Sequence, residues 1–135
     1  MFFSSEEVNQ ILGLINWNKL DQDKLNQDKL NFKGVSIDSR TSLSEDLFVA
    51  IKGNNFDGHD FLEEVSNKNI KAVVISKRYI NQVPNNCAYW AVSDTLEAFH
   101  SLVLLRRRKL NIPVIAITGS VGKTTTKEMM KDILK

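Results

Sequence analysis

The chain has 135 residues, 42% of them hydrophobic, and its 18 basic and 16 acidic side chains give a formal net charge of +2. This composition allows a buried core of domain size and excludes an intrinsically disordered chain. The small net charge does not support a polyanionic partner, so we assign no nucleic-acid partner.

The first predicted element is a short helix near the N-terminus. Residues Ser4–Glu7 have the Ser-x-x-Glu spacing of a capping box, and apolar residues recur at helical intervals from Val8 to Ile15. Residues 16–31 are mainly polar and contain a near repeat at 21–30. Two copies are too few to stack a core, so this segment is predicted to be a surface excursion.

Four strands are predicted between residues 34 and 92. The first two are β-rich segments at 34–38 and 46–51, with a polar connecting loop between them. The other two, at 72–75 and 88–92, are continuous apolar runs of the kind that is buried on both faces of a sheet.

Two helices accompany these strands. Residues Asp57–Asp60 are predicted to begin one helix, which the polar residues 66–69 end. Residues Ser93–Glu97 offer a cap for a second helix that ends in the basic run 106–109. We interpret these cations as complementing the helix dipole and not as a nucleic-acid contact. The predicted apolar stripe of this helix is Leu96, Phe99, Val103 and Leu104.

The most informative segment follows a predicted buried strand at 113–117. It is a glycine-rich loop at 118–126, followed by a helical tail at 127–135. Glycines allow successive N–H groups to curl around one anion, and the helix N-terminus adds partial positive charge. In such a loop Lys123 would bridge the β- and γ-phosphates of ATP, and the hydroxyl of Thr124 would bind Mg²⁺.

The loop departs from the general pattern G-x-x-x-x-G-K-[ST]. Its first glycine would fall at Ile117, whereas Gly119 stands two residues later. The alternative is an ordinary strand-to-helix turn with a surface lysine, but the predicted strand before the loop and the helix after it favour a phosphate site. The predicted ATP-binding residues are Gly119, Ser120, Val121, Gly122, Lys123, Thr124 and Thr125. Of these, Lys123 and Thr124 are the predicted catalytic residues.

Residues 118–129 resemble the nucleotide loop of the Mur ligase family, whose version of the motif is the shortened T-G-x-x-G-K-T-T. Three upstream blocks, at 38–40, 46–53 and 56–61, are similar to the N-terminal signature of the same family and stand in the same order. The resemblance covers essentially the whole chain, which would end one helix into the ATPase domain of the family.

The resemblance implies an α/β fold in two parts. Residues 1–93 would form a small uridine-nucleotide-binding domain, and residues 94–135 would supply the first strand, phosphate loop and helix of the ATPase domain. The implied cofactors are ATP and Mg²⁺, and we expect a monomer. The residues that would surround the UDP moiety are Ser39, Arg40, Phe56, Gly58 and His59.

Each of these residues has a structural alternative. Ser39 could cap a turn, Asp38 could pair with Arg40 to hold the loop, and Phe56 could belong to the core. A structural hydrogen bond is as good an interpretation of His59 as a uridine contact. Arg40 is the natural partner of a diphosphate, because its guanidinium donates two hydrogen bonds at once.

The loop version with Ser120 and Val121 is most similar to family members that add D-alanyl-D-alanine to UDP-N-acetylmuramoyl-tripeptide through an acyl phosphate. Sister ligases, which add diaminopimelate or lysine, more often have Thr-Asn there and remain an alternative. The implied partners are therefore UDP-N-acetylmuramoyl-peptide and D-alanyl-D-alanine. A generic P-loop protein would leave the upstream blocks unexplained, whereas a nucleotide-binding module without chemistry stays open. We expect no ligase activity from residues 1–135 alone.

The sequence also predicts a cytoplasmic protein without a membrane span. The single Cys87 cannot form an internal disulfide, and residues 1–7 lack the basic and long apolar regions of a secretion signal. The longest apolar runs, such as 102–105, are far shorter than the roughly 20 residues that cross a bilayer. Cys87 has no visible partner as a nucleophile or metal ligand, so we predict a packing role.

Overall fold

The computed structural model describes residues 3–13, 16–17 and 30–134. Ile15 and most of the near repeat at 21–30 lie outside the described residues. The described helices are α1 (Ser5–Leu12), α2 (Leu62–Asn67), α3 (Thr95–Lys109) and α4 (Lys123–Ile133), with 3₁₀ turns at Gly58–Phe61 and Lys77–Gln82.

Seven strands are described in the same part of the chain. They are β1 (Phe3–Ser4), β2 (Asn16–Trp17), β3 (Asn31–Phe32), β4 (Gly34–Ser36), β5 (Asp46–Val49), β6 (Ala72–Ser76) and β7 (Ala88–Val92). Five of them form a sheet in the order β2-β7-β6-β5-β4, in which β4 to β7 run parallel. β1 and β3 form a separate antiparallel pair. The predicted α/β class with a parallel sheet is confirmed.

The start of the predicted surface excursion is corrected by the structure. Residues Asn16 and Trp17 form β2, an antiparallel edge strand in which Asn16 pairs with Tyr89. A strand of this length is too short to show hydrophobic alternation, so no sequence pattern indicates it. Residues 18–29 lie outside the described part of the chain.

Helices cover both faces of the sheet. Along β6, Ala72 and Val74 belong to a core shared with α1 and α3, whereas Val73 and Ile75 belong to a second core shared with α2. Alternate residues of a strand point to opposite faces of the sheet. Because helices cover both faces, all four side chains are fully buried. The predicted double burial of this strand is confirmed.

The N-terminal helix α1 is fixed at its start and against the sheet. Ser4 Oγ accepts a hydrogen bond from Glu7 N, and Glu7 Oε2 accepts one from Ser4 N at 2.9 Å, which confirms the predicted capping box. The indole of the fully buried Trp90 in β7 donates to Asn9 Oδ1 at 2.9 Å and to Gly13 O at 3.1 Å. These bonds hold α1 over the sheet.

Helix α3 packs on the sheet through a different stripe from the predicted one. Its buried residues are Thr95, Ala98 and Leu102. Of the predicted stripe, Phe99 is partly buried, but Leu96, Val103 and Leu104 are 48%, 44% and 56% exposed. Since both stripes fit a helical period, only the position of the sheet selects between them. The predicted boundary between residues 93 and 94 assigns this helix to the second part of the chain, whereas its buried face shares a core with the sheet.

The segment after α3 also differs from the prediction. Residues 113–117 form no strand, and Val114 and Ile115 are 61% and 57% exposed. An extended segment becomes a strand only when it pairs with another, and no described strand lies beside this one. α4 begins at Lys123, four residues before the predicted helical tail. None of the described helices has the length and apolar character needed to cross a membrane.

Candidate functional site

A cavity of about 480 Å³ opens where β4 and β5 end. In parallel α/β sheets, ligands bind in the crevice outside the carboxyl ends of the strands. Four of the five residues predicted to surround UDP line this cavity, although they lie in two separate segments of the chain. The lining residues are Ile37, Asp38, Ser39, Arg40, Ile51, Phe56, Gly58 and Phe61.

The loop that follows β4 takes its shape from Asp38. The main-chain oxygen of Asp38 accepts hydrogen bonds from Thr41 N at 3.2 Å, Ser42 N at 3.1 Å and Ser42 Oγ at 2.7 Å. Its carboxylate accepts from Arg40 N at 3.0 Å. Ser39, at the centre of this turn, is 6% exposed. A local network of hydrogen bonds therefore sets the polar wall of the cavity.

The guanidinium of Arg40 forms a two-pronged ion pair with Asp38. Arg40 Nε donates to Asp38 Oδ1 at 2.9 Å, and Arg40 Nη2 donates to Asp38 Oδ2 at 2.7 Å. These bonds hold the pKa of Asp38 at about 2 and raise the pKa of Arg40. The pair uses one edge of the guanidinium, which has five N–H donors in all, so the other edge can bind an anion while Asp38 stays in place.

Phe56 and Gly58 form part of the opposite wall. The Phe56 side chain is 74% exposed, so the alternative that it belongs to the core is not supported. At Gly58 a Cβ atom would lie 2.8 Å from Ile51 N and 3.0 Å from Ala50 Cα. Glycine is therefore required here for the close approach of two backbone segments. The same contact keeps this wall of the cavity open.

His59 is buried behind this wall and is absent from the cavity lining. Its ring lies 3.8 Å from the ring of Tyr79 in a stacked arrangement, and its side chain is 1% exposed. Nε2 accepts from Ser76 N at 3.0 Å, and Nδ1 lies 2.5 Å from Asp57 Oδ1. Because Ser76 N–H needs an acceptor, the ring proton lies on Nδ1 and faces Asp57. The geometry favours the structural interpretation of His59.

Tyr79 and Lys68 support the segments that line the cavity, but no sequence pattern indicated either residue. The Tyr79 hydroxyl donates to Asp57 Oδ2 at 2.9 Å. Burial disfavours the charged form of Asp57, but hydrogen bonds from His59 and Tyr79 outweigh this and lower its pKa. Lys68 Nζ donates to Ser39 O from 29 residues further along the chain. Contacts across such separations follow no local pattern, so no sequence motif could reveal them.

The glycine-rich loop forms a second candidate site. Gly119 and Gly122 have φ angles of 148° and 82°, which favour glycine, and Gly122 is the N-cap of α4. Lys123 Nζ donates to Gly119 O, so its charge lies at the loop. The other predicted ATP-binding residues occupy the same loop and the first turn of α4. A cavity of about 340 Å³ is lined by Ile115, Ile117, Lys123, Thr124 and Lys127.

Within the described residues, no group of three or more His, Cys, Asp or Glu side chains could hold a metal ion. The predicted metal ligand, Thr124, lines the cavity at the glycine-rich loop together with Lys123. Cys87 is buried, its Sγ donates to Ile70 O at 3.2 Å, and burial raises the pKa of its thiol. A buried thiol of this kind is unreactive, so the geometry supports a packing role for Cys87.

Comparison with known families places the chain in one class. Residues 31–120 match the model described as "Mur ligase family, catalytic domain". The chain belongs to the Mur ligase family. The resemblance predicted from the loop and the three upstream blocks is thus confirmed.

Two individual relatives show which ligases of the family the chain is similar to. Over 100 residues, 74% of this chain and 22% of the relative, the chain is 39% identical to the UDP-N-acetylmuramoyl-tripeptide–D-alanyl-D-alanine ligase of Synechocystis. Over 106 residues, 76% of this chain and 21% of the relative, it is 37% identical to the UDP-N-acetylmuramoyl-L-alanyl-D-glutamate–2,6-diaminopimelate ligase of Aquifex aeolicus. The chain thus spans about a fifth of the length of the curated relatives it matches.

Solved structures agree with these relatives. A MurF crystal structure from Acinetobacter baumannii matches 98% of this chain and 27% of its own, with a TM-score of 0.76 and 34% identity. MurF ligase from Thermotoga maritima in complex with ADP matches 80% of this chain and 24% of its own, with a TM-score of 0.61 and 31% identity. The fold described above is therefore the fold of the corresponding part of MurF.

Proposed function

We propose that this chain is the uridine-nucleotide-binding part, and the beginning of the ATP site, of a ligase that adds D-alanyl-D-alanine to UDP-N-acetylmuramoyl-tripeptide. The observation that carries the proposal is the cavity at the ends of β4 and β5, where Ser39, Arg40 and Phe56 meet. The relative from Synechocystis, which is named for this reaction, supports it.

The two walls of the cavity suit the two halves of a uridine diphosphate. The exposed ring of Phe56, together with Phe61, offers an apolar face on which a planar base can stack, and Ile37 adds apolar surface to the same cavity. On the other wall, the outer edge of the Arg40 guanidinium can donate paired hydrogen bonds to phosphate oxygens. Ser39 lines the same cavity beside Arg40. His59 acts indirectly, because its ring nitrogens bond to Ser76 N and Asp57 and so anchor the segment that contains Gly58.

The glycine-rich loop is proposed to bind ATP. Lys123 would neutralise the β- and γ-phosphates, and the N–H groups at the start of α4 would point at the same anion. The solved MurF ligase from Thermotoga maritima is a complex with ADP, which supports adenine-nucleotide binding by a ligase that contains this segment.

Mg²⁺ fits the chemistry of Thr124, because Mg²⁺ prefers oxygen ligands and commonly keeps phosphate oxygens and water as its remaining ligands. Thr124 lines the same cavity as Lys123, so a hydroxyl oxygen and a cation are available together. When bound, the ion would neutralise charge on the phosphates.

The proposed reaction begins with transfer of the γ-phosphoryl group of ATP to the terminal carboxylate of the uridine-linked peptide, which yields an acyl phosphate and ADP. The amine of D-alanyl-D-alanine then attacks the carbonyl carbon, phosphate leaves with its bonding electron pair, and the amine loses a proton. A carboxylate is a poor acylating agent because its leaving group would be oxide. Lys123 would stabilise the charge that develops on the transferred group.

The proposed protein is a cytoplasmic monomer with two domains in this segment. Ala98 and Leu102 of α3 share a core with the sheet, so we place the domain boundary after Lys109 and not at residue 93. Residues 110–134 would then begin the ATPase domain.

The sister reaction, addition of the third amino acid, remains a second candidate because of the similarity to the Aquifex ligase. The complete ligase would be assayed for phosphate release with two substrate pairs. Turnover with the tripeptide and D-alanyl-D-alanine is expected. Turnover only with the dipeptide and diaminopimelate or lysine would reverse the assignment.

Calorimetric titration of this chain with UDP tests the uridine site. We expect binding, and we expect Arg40→Ala to weaken it about tenfold, because a guanidinium pair to phosphate is lost. Arg108→Ala, which removes an exposed arginine of α3, is the matched control and should bind like the wild type. An unchanged affinity of Arg40→Ala would remove Arg40 from the site.

A further inference from the structure

Lys68, at the end of α2, contacts the polar wall of the uridine cavity from outside. Its Nζ donates to Ser39 O at 2.5 Å and to Arg40 O at 3.1 Å, and it lies 3.5 Å from Glu64 Oε1. Lys68 does not line the cavity. It therefore acts on the backbone that carries Ser39 and Arg40 and does not contact a ligand there.

The backbone of Lys68 is held in place at the end of helix α2. Lys68 N donates to Glu64 O and Val65 O at 3.2 Å, and the fully buried Val65 fixes α2 against the sheet. Asn69 has a φ of 60°, which ends the helix directly after Lys68. The Lys68 side chain is 34% exposed, so water shields its hydrogen bonds only in part. The backbone position of Lys68 is therefore set by α2 and by the packing of this helix on the sheet.

The contact of Lys68 with the loop after β4 matters because α2, which carries Lys68 at its end, follows the opposite wall of the cavity. The segment that leads into α2 is the 3₁₀ turn Gly58–Phe61, which carries part of the opposite wall of the cavity. The hydrogen bonds of Asp38 fix the shape of its loop from within, but they do not tie the loop to that opposite wall. Lys68 links this loop to the end of α2, the helix that follows the opposite wall.

We propose that Lys68 is a positioning residue for the uridine-diphosphate site. By holding the carbonyl groups of Ser39 and Arg40, it keeps the Arg40 guanidinium at the distance from the apolar wall that a base and its diphosphate require. This inference rests on the proposed function of the cavity. It means that UDP binding depends on the ammonium group of Lys68, although Lys68 does not contact the ligand.

Calorimetry with UDP and uridine, in parallel, tests the role of Lys68. Lys68→Met keeps the aliphatic stem and removes the donors, so the affinity for UDP should fall about fivefold, by loss of preorganisation. The affinity for uridine should change much less, because uridine makes no contact with Arg40 through phosphate. Lys68→Arg should restore most of the UDP affinity, and Lys71→Met, which removes an exposed lysine three residues away, should have no effect. Equal losses for UDP and uridine would indicate general loosening of the domain and would overturn the proposal.

A double-mutant cycle sharpens the test. If Lys68 acts through Arg40, Lys68→Met should cost little further UDP affinity in an Arg40→Ala background. Fully additive losses would show that the two residues act independently and would reject the positioning role.

A measurement without ligand separates this inference from the proposed function. Hydrogen exchange of the Thr41 and Ser42 amides should be faster in Lys68→Met, while core amides such as that of Val74 stay protected. A wild-type chain that binds neither UDP nor uridine would reject the proposed function, and with it the role of Lys68. A wild-type chain that binds UDP, with Lys68→Met binding equally well, would reject the role of Lys68 alone.

Discussion

The sheet region, residues 31–109, buries many of its apolar side chains, whereas the loop region, residues 110–134, leaves similar side chains exposed. In the sheet region, residues such as Val74 and Leu102 are fully buried between strands and helices. Among the described residues of the loop region none is buried, and Ile133 is 79% exposed. The difference shows that a hydrophobic pattern predicts what a segment can bury, whereas a neighbouring surface decides whether it does.

The two candidate sites differ in the same way. The cavity at the ends of β4 and β5 joins the loop after β4 to the segment before α2, and it exists only because the sheet brings these together. The glycine-rich loop depends on residues 119–124, whose glycines and helix start are local features. Substitutions at the cavity should therefore affect both folding and UDP binding, whereas those at the glycine-rich loop should affect ATP use and leave the fold of the sheet region unchanged.

The largest expected effect is on chemistry in the loop region. In a complete ligase that carries this segment, Lys123→Ala should lower the turnover rate constant on the order of 10²-fold or more, because the lysine neutralises charge that develops in the transition state. The affinity for UDP should not change, since that cavity lies in the sheet region. Steady-state kinetics and UDP titration would check both.

Two further variants sharpen this result. Lys131→Ala removes an exposed lysine from the same helix and should keep normal turnover. Thr124→Ala should regain part of its activity with extra Mg²⁺, whereas Lys123→Ala should not. A Lys123→Ala enzyme with near wild-type turnover would show that this segment is an ordinary turn before a helix and not the ATP site.

The next effect is on stability, and it compares two leucines of α3. Leu102→Ala should lower the free energy of unfolding by about 2–5 kcal/mol, because it leaves a cavity in the core. Leu104→Ala, at a side chain that is 56% exposed, should change it by less than about 0.5 kcal/mol. Urea denaturation of the chain measures both. Equal effects would show that α3 does not pack on the sheet as described.

The smallest expected effect is on the pH dependence of stability. The pKa of Asp38 is lowered from 3.8 to about 2 in the folded chain, so its pair with Arg40 stabilises the fold above the unfolded pKa. This contribution is lost as pH falls through the folded pKa, between about 4 and 2. Asp38→Asn should therefore lose less stability than the wild type between pH 5 and pH 2, as measured by urea midpoints.

Asp60→Asn is the matched control, because Asp60 is exposed and, among the described residues, no hydrogen bond to its carboxylate is found. It should follow the wild-type pH dependence more closely than Asp38→Asn does. Identical pH dependence in wild type and Asp38→Asn would show that the ion pair does not stabilise the folded chain.

Sequence patterns predicted elements well where the signal is local. The capping box at Ser4–Glu7, the apolar runs of β6 and β7 and the end of α3 at Lys109 all follow from neighbouring residues, and all are confirmed. The strand predicted at 113–117 is wrong, because a strand is defined by its partner.

The candidate site was predictable as a set of residues but not as an arrangement. Motif resemblance named Ser39, Arg40, Phe56, Gly58 and His59, and the fold brings four of them to one cavity. It turns the ring of His59 inward, because both ring nitrogens find partners there. That these residues bind UDP, and that the loop binds ATP, remain predictions.

The sequence by itself determined the α/β class, the family and the position of the glycine-rich loop, because these depend on residue types at short spacing. Only the tertiary structure decided which face of α3 is buried, that Phe56 is exposed while His59 is enclosed, and that Lys68 reaches the carbonyl groups of Ser39 and Arg40. These outcomes depend on contacts between residues far apart in the chain, which form when the parallel strands pair and bring their carboxyl ends to one edge.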